Sequence, residues 1–139
     1  MLRSSTVSDV LRRSASRQPT KTALHFTDRS WTYRELDDAV TRAAAWLLQR
    51  GLTKGDRVAT YGKNSDAYLI AFLACARAGL VHVPINFALT GDELQHFFDD
   101  SGASLVMVDP SLMPHIEAVN SPEAVLLRDG ERSLSLIHI

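Results

Sequence analysis

Residues 57–85, which read RVATYGKNSDAYLIAFLACARAGLVHVPI, decide the fold class. Arg57–Tyr61 has the length and apolar character of a short buried strand, and Val81–Ile85 repeats that pattern. Between them, a helix that begins after Asn64 or Ser65 is apolar on nearly all sides, which is typical of a helix covered by its neighbours. Because a strand, a buried helix and a second apolar strand follow one another, the stretch predicts a parallel βαβ unit.

The same alternation continues towards the end of the chain. Thr90 and Glu93 have the spacing of a capping box, in which two side chains satisfy free backbone N–H groups at a helix start. A strand, a weak helix and another strand follow, over Leu105–Val108, Ser111–Val119 and Ala124–Leu127, with a turn at Asp129-Gly130. We therefore predict an α/β fold, a parallel sheet with helices on both faces, in which the strands near residues 57–61, 81–85 and 105–108 are parallel members of one sheet.

The first part of the chain predicts a helix and a hairpin. The helix runs over Val7–Ser16, with Thr6 as its cap, and Pro19 prevents its continuation. Thr22–Phe26 is then a short strand. A turn at Asp28-Arg29-Ser30 leads back into Trp31 and Thr32, which gives a possible hairpin.

The second helix has the clearest start signal in the sequence. Thr32 and Glu35 form a capping box, and Trp31 and Leu36 have the spacing of a hydrophobic staple across it. One apolar face follows at helical spacing, made of Leu36, Val40, Ala43 and Leu47. Gly51 supplies the left-handed conformation that ends the helix.

Composition excludes several classes of protein. The chain has 139 residues, 45% of them hydrophobic and 22% charged, which is typical of a globular chain. The single cysteine, Cys75, excludes a disulfide framework and a cysteine-based zinc site, and it is predicted to be a buried small hydrophobe. No apolar run reaches about 18 residues and no signal-peptide core precedes Arg12, so we expect a cytoplasmic protein without a transmembrane segment.

The charge is unevenly distributed along the chain. Residues 1–70 contain 12 Lys/Arg and 7 Asp/Glu, whereas residues 71–139 contain 3 and 9. A basic half can indicate binding of nucleic acid or phosphate. The basic residues are nevertheless spread singly rather than clustered, which favours an ordinary solvated surface and no nucleic-acid partner.

The sequence motifs that usually indicate a phosphate-binding or metal-binding site are incomplete in this chain. Gly62-Lys63-Asn64 lies between a strand and a helix, but it lacks the glycine spacing and the hydroxyl of a Walker loop. We predict a strand–helix turn at this position. Asp92 and His96 are four residues apart and could touch one metal ion, yet no third ligand follows, so an exposed pair is favoured.

Other polar and aromatic candidates also have structural explanations. Adjacent carboxylates, Asp99 and Asp100, diverge on a helix, which disfavours joint acid–base work. Packing explains Trp31, Tyr33 and Trp46 better than base stacking does. We therefore assign no catalytic, cofactor-binding or metal-binding residue within the chain from the residues alone.

The order of several short segments resembles the start of AMP-forming acyl-CoA synthetases of the adenylate-forming superfamily. The matching segments cover roughly residues 5–110 and are residues 19–24, 31–36, 51–59, 64–65, 77–79, 83–86, 89–90, 93–94 and 100–103. Each segment alone is weak, whereas their order and spacing together are specific. The sequence of residues 83–91, VPINFALTG, is most similar to that of fatty-acid–CoA ligases.

This resemblance implies the first part of the large N-terminal domain of an enzyme with a two-step reaction. A carboxylic acid, expected to be a fatty acid, attacks the α-phosphate of ATP, and CoA then displaces AMP from the acyl-AMP. ATP, Mg²⁺ and CoA are implied for the intact enzyme, and a homodimer is compatible with it. The alternatives are an aryl- or amino-acid adenylating enzyme, or a non-catalytic α/β binding module.

The parts of the family that carry catalysis are absent from this sequence. Its phosphate loop and its adenine and ribose motifs lie beyond the region of resemblance, and Lys63 is the last lysine. Ala88 stands where some relatives have a basic residue near CoA, so no CoA contact is carried over. We expect the 139-residue chain alone to be inactive, poorly soluble and without a tightly bound ligand.

The last residues depart from the family pattern. Residues 134–139, LSLIHI, resemble a translated sequencing adapter more than a protein segment. We therefore predict a partial AMP-binding domain over residues 1–133 and a non-native tail over residues 134–139. The alternative is a genuine terminal strand.

Overall fold

The computed structural model describes residues 7–127 and 137–138, which form helices and strands in the predicted order. The helices are α1 Val7–Arg17, α2 Tyr33–Gln49, α3 Asp66–Ala78, α4 Gly91–Ser101 and α5 Met113–Glu117, with a 3-10 turn at Pro110–Leu112. The strands are β1 Thr22–Phe26, β2 Arg29–Thr32, β3 Arg57–Tyr61, β4 Val81–Ile85, β5 Leu105–Val108, β6 Glu123–Leu127 and β7 Ile137–His138. The weak helix predicted over Ser111–Val119 is therefore a 3-10 turn followed by a shorter α-helix.

A five-stranded sheet organises the second part of the chain, in the order β4-β3-β5-β6-β7. Strands β3 to β6 are parallel, and the register sets Tyr61 beside both Ile85 and Val108. The predicted parallel α/β fold is confirmed. β7 pairs antiparallel with β6, whereas residues 134–136 and 139 of the predicted tail lie outside the described residues, as does the turn at Asp129-Gly130.

Helices cover both faces of this sheet because alternate strand residues point in opposite directions. Val58 and Leu105 pack with α1, α2 and α3 in one apolar cluster. Ala59 and Val106, their immediate neighbours in sequence, pack with α4 and α5 in a second cluster. The continuous burial of β5 on both sides explains why its sequence shows no polar alternation.

The hairpin of β1 and β2 forms a separate two-stranded antiparallel sheet. Its turn is one residue earlier than predicted, because Thr27 and Asp28 connect the paired residues Phe26 and Arg29. Thr27 adopts a left-handed conformation with φ of 54°, which a two-residue turn between antiparallel strands requires.

The capping predictions have different outcomes. At α2, both hydrogen bonds of the Thr32–Glu35 box are present. At α4, Thr90 occupies the cap position but its side chain makes no cap hydrogen bond, so the second predicted box is wrong. Gly91 adopts φ of 56° there, away from the right-handed geometry that such a box needs. Ser65, not Asn64, caps α3; the proposed cap of α1 at residue 6 lies outside the described residues.

Candidate functional site

The carboxyl ends of β3 and β5 form the topological switch point of the parallel sheet. The chain leaves β3 towards α3 on one face, whereas it leaves β5 towards α5 on the opposite face. In open parallel sheets, such a divergence opens a crevice beyond the strand ends, where ligands usually bind. The loops that follow β3, β4 and β5 are therefore the candidate functional edge of this chain.

Gly62 lets the ends of β3 and β5 approach each other closely. The backbone N–H of Asp109 donates to the carbonyl of Tyr61 at 2.9 Å. A Cβ atom added at Gly62 would lie 3.0 Å from the Cβ of Asp109, which is tighter than an ordinary contact. The carboxylate of Asp109 accepts hydrogen bonds from the backbone and hydroxyl of Ser111 at 2.9 and 2.8 Å. The β5 loop is thus fixed by its own side chain.

The loop after β4 is held from beneath by Tyr61. The Tyr61 hydroxyl donates to the carbonyl of Leu89 at 2.5 Å, and burial raises the pKa of this phenol. Within the loop, the Asn86 side chain accepts a hydrogen bond from the N–H of Ala88 at 2.9 Å. Lys63 reaches across from the β3 turn, with its ammonium 5.4 Å from the ring centre of Phe87. Two of the three edge loops are therefore joined by side chains.

The turn after β3 is a helix start and not a Walker loop. The Ser65 hydroxyl accepts a hydrogen bond from the N–H of Tyr68 at 3.1 Å. This hydroxyl, which lies at the N-terminus of α3, is therefore used to cap the helix. This agrees with the predicted strand–helix turn. Within residues 7–127 and 137–138, no group of three or more His, Cys, Asp or Glu side chains could hold a metal ion.

A cleft of about 470 Å³ lies between α3 and β4, beside this edge. His82 of β4 faces it and contacts Tyr68 and Phe72 edge-on, with ring centres 5.8 and 5.3 Å away. Nε2 of His82 is 2.5 Å from the hydroxyl of the fully buried Thr60. Burial lowers the pKa of His82, which favours the neutral ring at pH 7.

A second cleft, of about 330 Å³, lies between β4 and α4. His96 and Asp100 are at its rim, and the His96 Nε2 is 3.0 Å from the Asp100 carboxylate. Asp92 and His96 are both exposed, as predicted, but His96 contacts the acid one turn after it. Asp99 instead accepts a hydrogen bond from Gln95, so the two adjacent carboxylates diverge as predicted.

The aromatic and cysteine predictions agree with the structure. Trp31 is buried, and Trp46 packs under the guanidinium of Arg50 with 4.7 Å between that group and the ring centre. Cys75 is fully buried in the core, and burial raises the pKa of its thiol to about 12. Such a thiol stays protonated at neutral pH and is a poor nucleophile.

Sequence reasoning missed two buried ionic clusters. The first fixes the hairpin: Asp66, with no exposed side-chain surface, accepts hydrogen bonds from Nε and Nη2 of Arg29 at 3.0 and 3.1 Å. It also accepts one from the indole N–H of Trp31 at 3.1 Å. An acidic residue opening an otherwise apolar helix was the available signal, because a carboxylate placed there requires a partner.

The second cluster fixes α1 and α2 to α3. The guanidinium of Arg77 donates to the hydroxyl of Ser8 at 2.6 Å and to the carboxylate of Asp37 at 2.7 Å. It also donates to the hydroxyl of Thr41 at 2.8 Å. Both clusters therefore join the first part of the chain to the βαβ unit. The Asp66 cluster lies at the start of α3, beside the carboxyl edge, whereas Arg77 lies in the last turn of that helix.

A family model described as AMP-binding enzyme matches residues 11–137. The chain belongs to this AMP-binding enzyme family. It is 39% identical over 119 residues to a feruloyl-CoA synthase of Amycolatopsis sp, and the aligned region covers 86% of this chain and 24% of that protein. It is 36% identical to the fatty acid–[acyl-carrier-protein] ligase ScoC of Streptomyces coeruleorubidus, over 81% of this chain and 22% of that protein. The chain thus spans about a quarter of the length of these relatives.

Solved structures of AMP-binding enzymes share the fold. The N-terminal domain of FACL13 from Mycobacterium tuberculosis superimposes with a TM-score of 0.79 at 28% identity, over 87% of this chain and 33% of that domain. The N-terminal subdomain of NpsA from Klebsiella oxytoca, in complex with 3-hydroxybenzoyl-AMSN, gives 0.75 at 29% identity, over 86% and 30%. Relatives in this AMP-binding family thus include acyl-CoA synthetases and adenylation domains, which confirms the predicted family and fold. In the described part of the chain, no helix has the length and apolar character needed to cross a membrane.

Proposed function

We propose that the chain is part of an ATP-dependent acid–CoA ligase that activates a fatty acid. The match of residues 11–137 to the AMP-binding family carries this proposal. The sequence of residues 83–91, which includes the loop that Tyr61 anchors, resembles fatty-acid–CoA ligases and supports that class within the family.

The proposed reaction has two steps. A carboxylate oxygen of the acid attacks the α-phosphorus of ATP, the bond to the β-phosphate oxygen breaks, and pyrophosphate leaves. The thiolate of CoA then attacks the acyl carbon, and AMP leaves with the electron pair of the C–O bond. Both steps need charge stabilisation by groups placed around the phosphates.

The described residues do not supply a magnesium site for this reaction. No group of three or more candidate ligands occurs among them, and the Asp109 carboxylate is already engaged by Ser111. We therefore derive no metal-dependent step from this chain. Its contribution is to position the edge loops: Gly62 sets the spacing of β3 and β5, and Tyr61 holds the loop after β4.

A second candidate substrate class is an aryl or amino acid. The feruloyl-CoA synthase of Amycolatopsis sp, at 39% identity, and the surfactin synthase subunit 2 of Bacillus subtilis (strain 168), at 32%, support this alternative. A non-catalytic α/β binding module is the alternative outside the enzyme class.

The decisive experiment uses the full-length protein from its gene. A panel of fatty, aryl and amino acids is assayed for acid-dependent ATP–pyrophosphate exchange, and thioester formation with CoA is followed by mass spectrometry. Exchange and acyl-CoA formation with fatty acids are expected. Exchange confined to aryl or amino acids would transfer the assignment to the second class, and no exchange with any acid would favour the binding module.

The role of the switch point is tested with a rescue variant. Gly62→Ala adds a methyl group against the Cβ of Asp109 and should lower the free energy of unfolding, measured with urea, by about 1–3 kcal/mol, the typical cost of overpacking. Asp109→Gly removes the opposing Cβ, so adding it to Gly62→Ala should restore the stability to that of Asp109→Gly alone. Equal effects of Gly62→Ala in both backgrounds would contradict a steric role.

A further inference from the structure

We propose that the outer face of α1 binds the surface of an anionic lipid bilayer. This face consists of Val7, Val10, Arg13 and Arg17, which follow one another at intervals of three or four residues and therefore lie along one side of the helix. All four side chains are exposed. The proposal concerns an interaction surface of the protein and does not depend on the proposed function.

Contacts on the other side of α1 fix the direction in which this face points. Leu11 is buried in the apolar cluster that α1 shares with α2 and α3. The hydroxyl of Ser8, a residue that is 1% exposed, accepts a hydrogen bond from Nε of Arg77 at 2.6 Å. The Ser8 carbonyl accepts a second bond from Nη2 of the same guanidinium at 3.0 Å. Because these contacts hold one side of the helix against α2 and α3, the outer face is directed away from them.

Two aliphatic side chains on the outer face are displayed to solvent. Val7 is 46% exposed and Val10 is 52% exposed. A single exposed valine needs no explanation, whereas two valines on adjacent turns form a continuous apolar strip. Such a strip is stabilised when it enters the boundary between lipid headgroups and acyl chains.

The outer face also carries positive charge next to the valines. Arg13 and Arg17 lie one turn apart, and neither side chain makes a hydrogen bond or an ion pair with another described residue. The helix contains one acid, Asp9, and Nη1 of Arg12 lies 3.7 Å from its carboxylate. Three arginines against one aspartate leave the helix with a net charge of +2. This charge attracts an anionic surface, and the two arginines of the outer face are available to it.

The combination of charge and apolar surface favours a bilayer over a nucleic acid. The phosphate groups of either partner could bind the two guanidinium groups. A nucleic acid that binds through its phosphates leaves Val7 and Val10 in water, whereas a bilayer places acyl chains directly beneath its charged headgroups. The 11 residues of α1 make a helix about 16 Å long, which can lie flat on such a surface. We therefore assign the outer face to an anionic bilayer.

Vesicle binding by the full-length protein tests this assignment. Co-sedimentation is measured with vesicles of phosphatidylcholine alone and with vesicles that also contain about 30% phosphatidylglycerol. The protein should bind the anionic vesicles about tenfold more tightly, and this binding should weaken as the salt concentration is raised. No binding to the anionic vesicles, or equal binding to both kinds, would overturn the proposal. Binding to a DNA duplex without binding to vesicles would assign the arginines to nucleic acid and would also overturn it.

Variants of the full-length protein separate the outer face of α1 from the rest of the surface. Arg13→Gln combined with Arg17→Gln should lower the partition coefficient for anionic vesicles about 25-fold, because each basic residue at such a surface contributes about a factor of five. Val7→Ser combined with Val10→Ser should lower it about fivefold and leave the salt dependence unchanged. Lys63→Gln is the matched control, since Lys63 is an exposed cation on the turn after β3, and it should change binding less than about twofold. Wild-type binding by both double variants would show that the vesicles bind elsewhere and that the proposal is wrong.

Discussion

Replacement of Asp66 by asparagine should release the hairpin from the rest of the molecule. The Asp66 side chain has no exposed surface and accepts three hydrogen bonds from side chains of β2, at 3.0, 3.1 and 3.1 Å. Asparagine has nearly the same volume, but it carries no charge, and its NH₂ group would face one of the donors. The guanidinium of Arg29, whose side chain is only 23% exposed, would then lose the charge of the Asp66 carboxylate.

The magnitude follows from the loss of one partner of a buried pair. Breaking such a pair typically costs about 3–5 kcal/mol, because the other charge stays buried and uncompensated. The partial exposure of Arg29 places the expected value at the lower end, about 3 kcal/mol. At about 1.4 kcal/mol per factor of ten, local opening of the hairpin should become roughly 100-fold more frequent.

The assay is native-state hydrogen exchange on the full-length protein, read at the amides of β1 and β2. Asp28→Asn is the matched control, because Asp28 lies in the exposed turn of the same hairpin and contacts only the neighbouring Thr27 hydroxyl among the interactions described. Hairpin amides should exchange about 100-fold faster in Asp66→Asn and within about threefold of wild type in Asp28→Asn. Equal exchange in the two variants would refute the role assigned to the buried carboxylate.

The effect should also depend on pH. Burial raises the pKa of Asp66, but hydrogen bonds from Arg29 and Trp31, together with the charge of Arg29, outweigh it and hold the pKa below its ordinary value of 3.8. A carboxyl group with a lowered folded-state pKa stabilises the fold above the unfolded-state value, and this stabilisation is lost as the pH falls through the folded-state value. The difference between wild type and Asp66→Asn should therefore be complete above pH 4 and shrink on further acidification.

Four further predictions test other features. Thr32→Ala should lower the free energy of unfolding of α2 by about 1 kcal/mol, whereas Thr90→Ala should change that of α4 little. The reason is that the Thr32 side chain makes a cap hydrogen bond and the Thr90 side chain does not. Hydrogen exchange at the first turn of each helix measures both effects. Burial lowers the pKa of His82 below 6.5, so its folded state binds fewer protons than the unfolded state and stability should fall as the pH drops below 6.5. Urea midpoints between pH 7 and pH 5 measure this, and His82→Gln should flatten the profile. Cys75, with a pKa of about 12, should resist alkylation by iodoacetamide at pH 7.5 until urea unfolds the core. This pH is about one unit below the ordinary pKa of a free thiol. The 139-residue chain alone should show no acid-dependent pyrophosphate exchange and should aggregate on sizing chromatography; a monodisperse chain with exchange would contradict both expectations.

Local signals were sufficient to predict most of the fold. The Thr32–Glu35 box set the start of α2, and the short apolar segments at Arg57–Tyr61 and Leu105–Val108 identified central strands of the sheet. These features depend on residues close in sequence, so a pattern analysis can find them. The Thr90–Glu93 box failed for a physical reason: the backbone at Gly91 is left-handed, and a side-chain pattern does not show that.

The interactions that position the candidate edge could not be predicted in the same way. Asp66 and Arg29 are 37 residues apart, and Arg77 and Ser8 are 69 apart. A single sequence shows that a carboxylate opens an apolar helix, but it does not show which distant cation will meet it. The close approach of Gly62 to Asp109 is hidden for the same reason, because it depends on the strand order β3-β5.

The polar side chains at and beside the carboxyl edge are engaged in structural contacts. Its two guanidinium clusters, at Arg29 and Arg77, hold the hairpin and the helices α1 and α2 against α3. At that edge, Asp109 and Ser65 are engaged in fixing their own loops, and Tyr61 holds a backbone carbonyl. Groups already bonded in this way are poorly placed to take up the charge that develops during phosphoryl transfer, which requires a separate cradle of donors and lysine. The edge therefore supports its own loops, and we expect the reacting groups of the proposed ligase to lie outside it.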